Sequence, residues 1–366
     1  MNQRYLWLLP RIGVGFVAIG LLATVGVLAA GNPGKAEAPK RTDDQAPAWN
    51  PSNLPLWAYP VNPPGGFRGR GRGRGRLTGG RSGFTPLATN GPLEHVPGST
   101  RGYTAAYIRN LFSVPDWFPN SHPPFPRVVA HGSPPVVPAC AYCHLPNGEG
   151  RPENESIAGL PEGYILQQLA DFKNGLRKSS DPRMGSVNFM IRVAKGVSEQ
   201  DAQEAAAYFS SLTYKPWIHV IETNTVPVTR PVGGMLEVVK GGGTQPIGDR
   251  VIEVPVNQKL TDLRDPNSGF IAYVPEGSIA RGRELVMTGG DGTTIRCTIC
   301  HGPDLKGLGN VPSIVGRSPT QMARQIIDIQ TGARNGPYTQ LMKLPVHNLN
   351  IQDIVDIVSY LASLRP

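Results

Sequence analysis

Every cysteine in this 366-residue chain lies in one of two pentapeptides, Cys140-Ala-Tyr-Cys143-His144 and Cys297-Thr-Ile-Cys300-His301. A C-x-x-C pair by itself is ambiguous between a redox dithiol and half a zinc site. With histidine following in both copies and no cysteine left over, the pattern is C-x-x-C-H, the attachment site of a c-type haem. Two thiols one helical turn apart add to the two vinyl groups on one porphyrin edge. The next residue then sits beneath the iron as its proximal ligand. Each site therefore needs a lobe that wraps a large apolar disc, and the disc itself supplies core. Composition agrees with short lobes set in much irregular chain: Gly 44 and Pro 37 are high, and aromatics are only 7%. Two lobes of roughly 100 residues would leave about 150 for a leader and connectors.

The motifs head a longer duplication. Thirteen residues after His144 comes Ile157-Ala-Gly159, and thirteen after His301 comes Ile314-Val-Gly316. Register persists through Gln168 and Gln325, Asp171 and Asp328, Gly175 and Gly332, Arg177 and Arg334. Apolar residues at helical spacing (Tyr164, Ile165, Leu169, Phe172; Met322, Ile326, Ile329) predict a helix in each copy, ended by the glycine. Further on, Ser198 and Asn350 each have an aspartate three residues later, Asp201 and Asp353. That spacing resembles a capping box and predicts a C-terminal helix from each cap. Ahead of the haem motifs, Ser99–Ile108 and Ser278–Val286 read as opening helices, each after a Val-Pro turn. A proline-laden stretch from Pro115 to Pro138 separates the first from its motif and reads as surface-wrapping chain.

The far side of each iron needs a ligand from chain that returns over a distance, and the loop before the capped helix is the expected source. Seven residues back from Val197 is Met190, and seven back from Leu349 is Met342. A thioether is a soft ligand that favours ferrous iron and raises the potential. Methionine is more often core filler, so the shared offset is what singles out these two. Met184 in the first copy and His347 in the second are competing donors, while Met322 reads as helix packing.

Charge is unevenly spread. Residues 1–81 carry 11 of the 36 Lys and Arg but only 3 of the 27 acids, so the remainder is close to neutral. Arg4 and Arg11 precede an uncharged stretch from Ile12 to Ala30. Residues 1–30 are thus a signal peptide or a membrane anchor. Both readings export the rest of the chain to the periplasm, tethered to the inner membrane or released after cleavage. Residues 31–92 lack apolar periodicity and contain the alternating Arg/Gly tract from Phe67 to Arg76, so a disordered arm is expected. Outside the cytoplasm, such a tract is suited to an anionic membrane surface or an acidic partner, or serves as a solvated spacer; nucleic acid is not the expected partner. The first folded domain is then 93–213, the second 276–366, and 214–275 is a linker with short strands at Val251–Val256 and Phe270–Val274.

Taken together, C-x-x-C-H, I-x-G, Q-x-x-D-x-x-x-G-x-R and a methionine before a capped helix ending in tyrosine resemble the class I c-type cytochromes. Two tandem copies, over 140–213 and 278–365, resemble the dihaem electron carriers of bacterial periplasms. The resemblance implies a mainly α fold: two tandem class I cytochrome c lobes with long irregular connections and a few short strands. It implies two covalent haem c groups on Cys140, Cys143, Cys297 and Cys300, with His144 and Met190, and His301 and Met342, as iron ligands. One departure stands out. A proline whose carbonyl orients the proximal histidine often precedes I-x-G in that family; Pro312 fills the place in the second copy, but Glu155 occupies it in the first.

An iron with both axial positions filled has no vacancy for peroxide or oxygen. Single-electron carriage between a redox protein donor and acceptor is therefore the expected function, as a free shuttle or as the cytochrome subunit of a dehydrogenase or oxidase, without enzymatic activity of its own. The alternative, a dihaem peroxidase, needs a distal ligand that departs, often histidine; His122, His131 and His347 are the candidates.

Overall fold

The computed structural model describes residues 48–61 and 91–366, which belong to one compact unit. The apolar segment Ile12–Ala30 and the Arg/Gly tract lie outside the described residues. No helix among the described residues is long and apolar enough to cross a membrane.

The first lobe opens with a small antiparallel pair, β1 (Leu93–Glu94) and β2 (Tyr103–Thr104), and a single helical turn, α1 (Ala105–Ile108). A full opening helix over Ser99–Ile108 does not form. Tyr103 stands edge-on to buried Trp117, and Ile108 packs in the same cluster with Leu263 from the linker, so tertiary contacts hold the segment extended. Then come α2 (Arg127–His131), α3 (Cys140–His144), α4 (Glu162–Lys173), α5 (Gly185–Gly196) and α6 (Glu199–Ser211). Val128, Val129, Ala158, Tyr164, Ile165, Ala205, Ala206 and Phe209 form this lobe's core.

The connection carries β3 (Ile218–Glu222), β4 (Thr225–Pro227), β5 (Thr229–Val232), β6 (Met235–Val238), β7 (Thr244–Pro246), β8 (Ile252–Pro255), α7 (Gln258–Asp262) and β9 (Phe270–Val274). The short strands expected here form, and β9 joins two of them into a sheet, parallel to β3 and antiparallel to β8. The second lobe comes next: α8 (Ser278–Thr288), α9 (Thr298–His301), α10 (Pro319–Gln330), α11 (Gln340–Val346) and α12 (Ile351–Ser363).

Helix α10 organises the molecule. Nearly all its residues are buried, polar ones included, because it is covered from several sides. Glu253 of β8 caps its first turn, accepting from Ser318 Oγ at 2.7 Å and Thr320 N at 3.2 Å. Another cover comes from residues 48–61, which correct the expectation of a disordered arm over that stretch. Leu54, Trp57, Ala58 and Tyr59 join the second lobe's core, with Tyr59 0% exposed. Trp49 Nε1 donates to Gln330 Oε1 at 2.7 Å, Tyr59 OH to Asp328 Oδ1 at 2.8 Å, and Arg324 Nη1 to the Ala58 carbonyl at 2.8 Å.

Repeated residues meet across the junction of the lobes. Arg177 and Arg334 form an antiparallel bridge flanked by Lys178 N to Ala333 O at 2.8 Å and Asn335 N to Leu176 O at 2.7 Å. Arg177 donates to Gln168 and Gln325, and Arg334 to the same two glutamines, all at 3.0 Å. The Q…R spacing of the duplication is thus a reciprocal clasp between the copies.

Candidate functional site

Both C-x-x-C-H motifs form short helices, α3 and α9, which set the two thiols of each pair one turn apart with histidine at the end. Their rings are fixed alike. His144 Nδ1 lies 2.8 Å from the Glu155 carbonyl, and His301 Nδ1 lies 2.8 Å from the Pro312 carbonyl. Nδ1 must donate to a carbonyl, so Nε2 is the lone-pair nitrogen in each ring. Burial lowers the pKa of both histidines, outweighing the carbonyl contacts that pull the other way, so both are neutral and able to ligate. Glu155 supplies the same backbone acceptor as proline; the departure at this position leaves that hydrogen bond intact.

Burial pushes the Cys140 thiol up to about 12 and the Cys297 thiol up to about 11. A redox-active C-x-x-C pair requires the opposite, a stabilised thiolate. Nor does any group of three or more His, Cys, Asp or Glu side chains among the described residues assemble a metal site. Neither the dithiol nor the zinc reading finds support among the described residues.

In the first lobe a cavity with about 990 Å³ of empty space, mouth included, opens beside α3. Cys140, Cys143, His144 and Met190 all line it, between walls that include Ile157, Ile165, Leu169, Phe172 and Phe209. This donor set and these apolar walls fit a haem: Cys140 and Cys143 would hold it covalently, and His144 and Met190 would offer it an imidazole and a thioether. Met184 is not among the lining residues; it is 1% exposed and packs in the core with Tyr59. The position of Met190 departs from expectation in one respect: it lies on helix α5, not in a loop. Val187, Met190 and Val193 at helical spacing give that segment an apolar stripe that the sequence reading passed over.

In the second lobe Met342 lies on α11 and, with Cys297, packs against the same core cluster. His347 is exposed at the end of that helix, and Met322 is buried in α10 as packing. Of the other histidines, His122 Nε2 is 3.1 Å from Asp116 and stacks on Phe125, while His131 is exposed. Neither lines the cavity.

Sequence reasoning missed the cavity's cross-lobe wall. Gln321, Arg324 and Gln325 of α10 reach into the first lobe's cavity beside Glu153, Glu155 and Arg177. The duplicated Gln and Arg were the available signal, but periodicity alone does not say which copy a residue serves.

Comparison with known proteins gives concordant matches. The Cytochrome c family model matches residues 134–213 and 279–365. Cytochrome c4 of Azotobacter vinelandii is 28% identical over 233 residues, 62% of this chain and 84% of that protein. The thiosulfate dehydrogenase electron acceptor of Thiomonas intermedia is 27% identical over 215 residues, 57% of this chain and 71% of that one. Cytochrome c-554(548) of Halomonas halodenitrificans is 35% identical over 88 residues, 24% of this chain but 96% of its own length. The chain therefore belongs to the class I c-type cytochromes and carries the family's folding unit twice in tandem.

Proposed function

We propose that this chain is a dihaem electron carrier of the periplasm, with one haem c on Cys140 and Cys143 between His144 and Met190, and another on Cys297 and Cys300 between His301 and Met342. One observation carries the reading: both cysteines, the oriented histidine and the methionine of the first copy face a single apolar cavity. A haem held there by Cys140 and Cys143 would supply one-electron ferrous–ferric chemistry. The chain's own residues hold the imidazole orientation through Glu155 and Pro312 and line the first cavity with Ile165, Phe172 and Phe209, which exclude water. Relatives named as cytochrome c4 and as a thiosulfate dehydrogenase electron acceptor support redox proteins as partners. The peroxidase alternative finds no support, since neither His122 nor His131 lines the cavity and His347 is solvent-facing.

Exchange with a partner belongs to the second lobe. Over the first attachment motif the linker's Arg264 lies 3.5 Å from the Tyr142 ring and donates to the Tyr142 carbonyl at 2.5 Å, closing that face. The equivalent residue in the second motif, Ile299, is 55% exposed, and Leu341 and Leu344 beside Met342 are 68% and 73% exposed. Location outside the cytoplasm is inferred from Arg4, Arg11 and the apolar stretch behind them, and the Arg/Gly tract is assigned to an anionic membrane surface.

Intact mass and redox spectra of the exported protein test this reading. Two covalent haems are expected. Met190→Ala and Met342→Ala should each turn one haem high-spin and lower its potential while leaving attachment intact. Two unchanged low-spin spectra in the double variant would refute the ligand assignment.

A further inference from the structure

Glu155 stands where the second copy has Pro312, and it touches the first site twice. Its carbonyl does what the Pro312 carbonyl does, accepting the proximal histidine's Nδ1–H at the same 2.8 Å. Its side chain does what a proline ring cannot. Oε2 accepts from Arg177 Nη2 at 2.5 Å, and Oε1 from Tyr164 OH at 3.0 Å. Both partners reach the second lobe, Arg177 through Gln325 Oε1 at 3.0 Å and Tyr164 by accepting from Arg334 Nη2 at 2.9 Å. The Glu155 carboxylate is thus ion-paired with Arg177 and held by two hydrogen bonds within the cavity wall. The second copy has no counterpart to this charge. Asn310 and Pro312 stand where the first has Glu153 and Glu155, and Arg334 makes its contacts with Gln325, Gln168 and Tyr164.

We infer that Glu155 is a positioning residue that sets the reduction potential of the first haem, apart from the second, through a fixed carboxylate in the cavity wall and through its grip on the arginine clasp. The inference rests on the assignment of His144 and Met190 to that haem. Ferric haem carries one more positive charge than ferrous, so a carboxylate in a weakly screening wall favours the ferric state and lowers the potential. Removing it deletes that charge and leaves Arg177 without its carboxylate. This single loss of negative charge, which uncovers the Arg177 cation, drives the potential upward.

Spectroelectrochemical titration of the full chain carrying Glu155→Gln or Glu155→Pro tests the idea. Glu155→Gln keeps shape and drops charge; Glu155→Pro copies the second lobe and keeps the carbonyl. A Met342→Ala background makes the second haem high-spin, so the remaining low-spin signal reports the first. Both substitutions should move the first midpoint to more positive potential, and the second by less. An unchanged or more negative first midpoint, or an equal shift of both, overturns the inference and leaves Glu155 a packing residue. Should Met190→Ala leave the first haem low-spin with its methionine–iron band present, the ligand assignment itself falls, and the inference with it. That result comes from a different variant and a different signal.

Discussion

At the scale of single residues, the most consequential groups are buried acids with unequal support. Glu155 is paired with arginine and stays charged, whereas Glu149, in the loop after His144, is not. Its Oε1 accepts from Lys215 N at 2.9 Å, and its Oε2 has no hydrogen-bond partner among the described residues. Burial pushes its pKa up to about 8, against the pull of Lys215 and Arg317. The folded chain therefore holds this proton more tightly than the unfolded chain, where the group titrates near 4.5. The stability it contributes is complete below the unfolded value and is lost as pH rises through the folded one. Thermal unfolding should thus show the native chain losing stability between about pH 5 and about pH 8, while Glu149→Gln loses distinctly less. Equal losses in the two proteins would rule out Glu149 as the titrating group.

At the scale of elements, the duplicated helices share a plan but not every bond. Asn350 and Asp353 close a full capping box on α12: Asp353 N donates to Asn350 Oδ1 at 3.0 Å, and Asn350 N to Asp353 Oδ2 at 3.1 Å. On α6 only half is made. Ser198 Oγ accepts from Asp201 N at 3.1 Å, but Asp201 Oδ2 is taken by Ser133 Oγ at 3.1 Å. Denaturant titration should show Asn350→Ala costing about 1–2 kcal/mol and Ser198→Ala about 1. The far ends of these helices are held identically. Gly159 N donates to Phe209 O at 2.9 Å and Gly316 N to Leu361 O at 2.8 Å. Both glycines have positive φ, 65° and 67°, and an added Cβ would lie 3.0 Å from the Leu212 or Leu364 carbonyl. The I-x-G motif is the seat of the C-terminal helix in each lobe.

At the scale of the whole molecule, the two copies fold as one body around α10. The strap formed by residues 48–61, the sheet, the clasp and α12 all meet on that helix, so weakening the strap should be felt globally. Trp57, 6% exposed in the second lobe's core, is the strap's largest anchor. Trp57→Ala should lower the unfolding free energy by about 3–5 kcal/mol and leave a single cooperative transition, by calorimetry of the haem-loaded chain. Resolution into two separate transitions would show that the lobes are independent.

The sequence by itself determined the local chemistry: the two attachment motifs, the histidines, the methionine offset, the capped helices and the glycine seats. Each depends on residues close together in the chain, and the duplication repeats them. Tertiary structure decided what depends on distant chain. The residues 48–61 carry no periodic pattern, and only the all-round burial of α10 explains why Trp57 and Tyr59 lie inside. Equally, nothing adjacent to Tyr142 foretold that Arg264, over a hundred residues away, would close the first attachment face and leave the second bare. Short-range spacing constrains which atoms a segment presents, whereas the burial of apolar surface decides which segments meet.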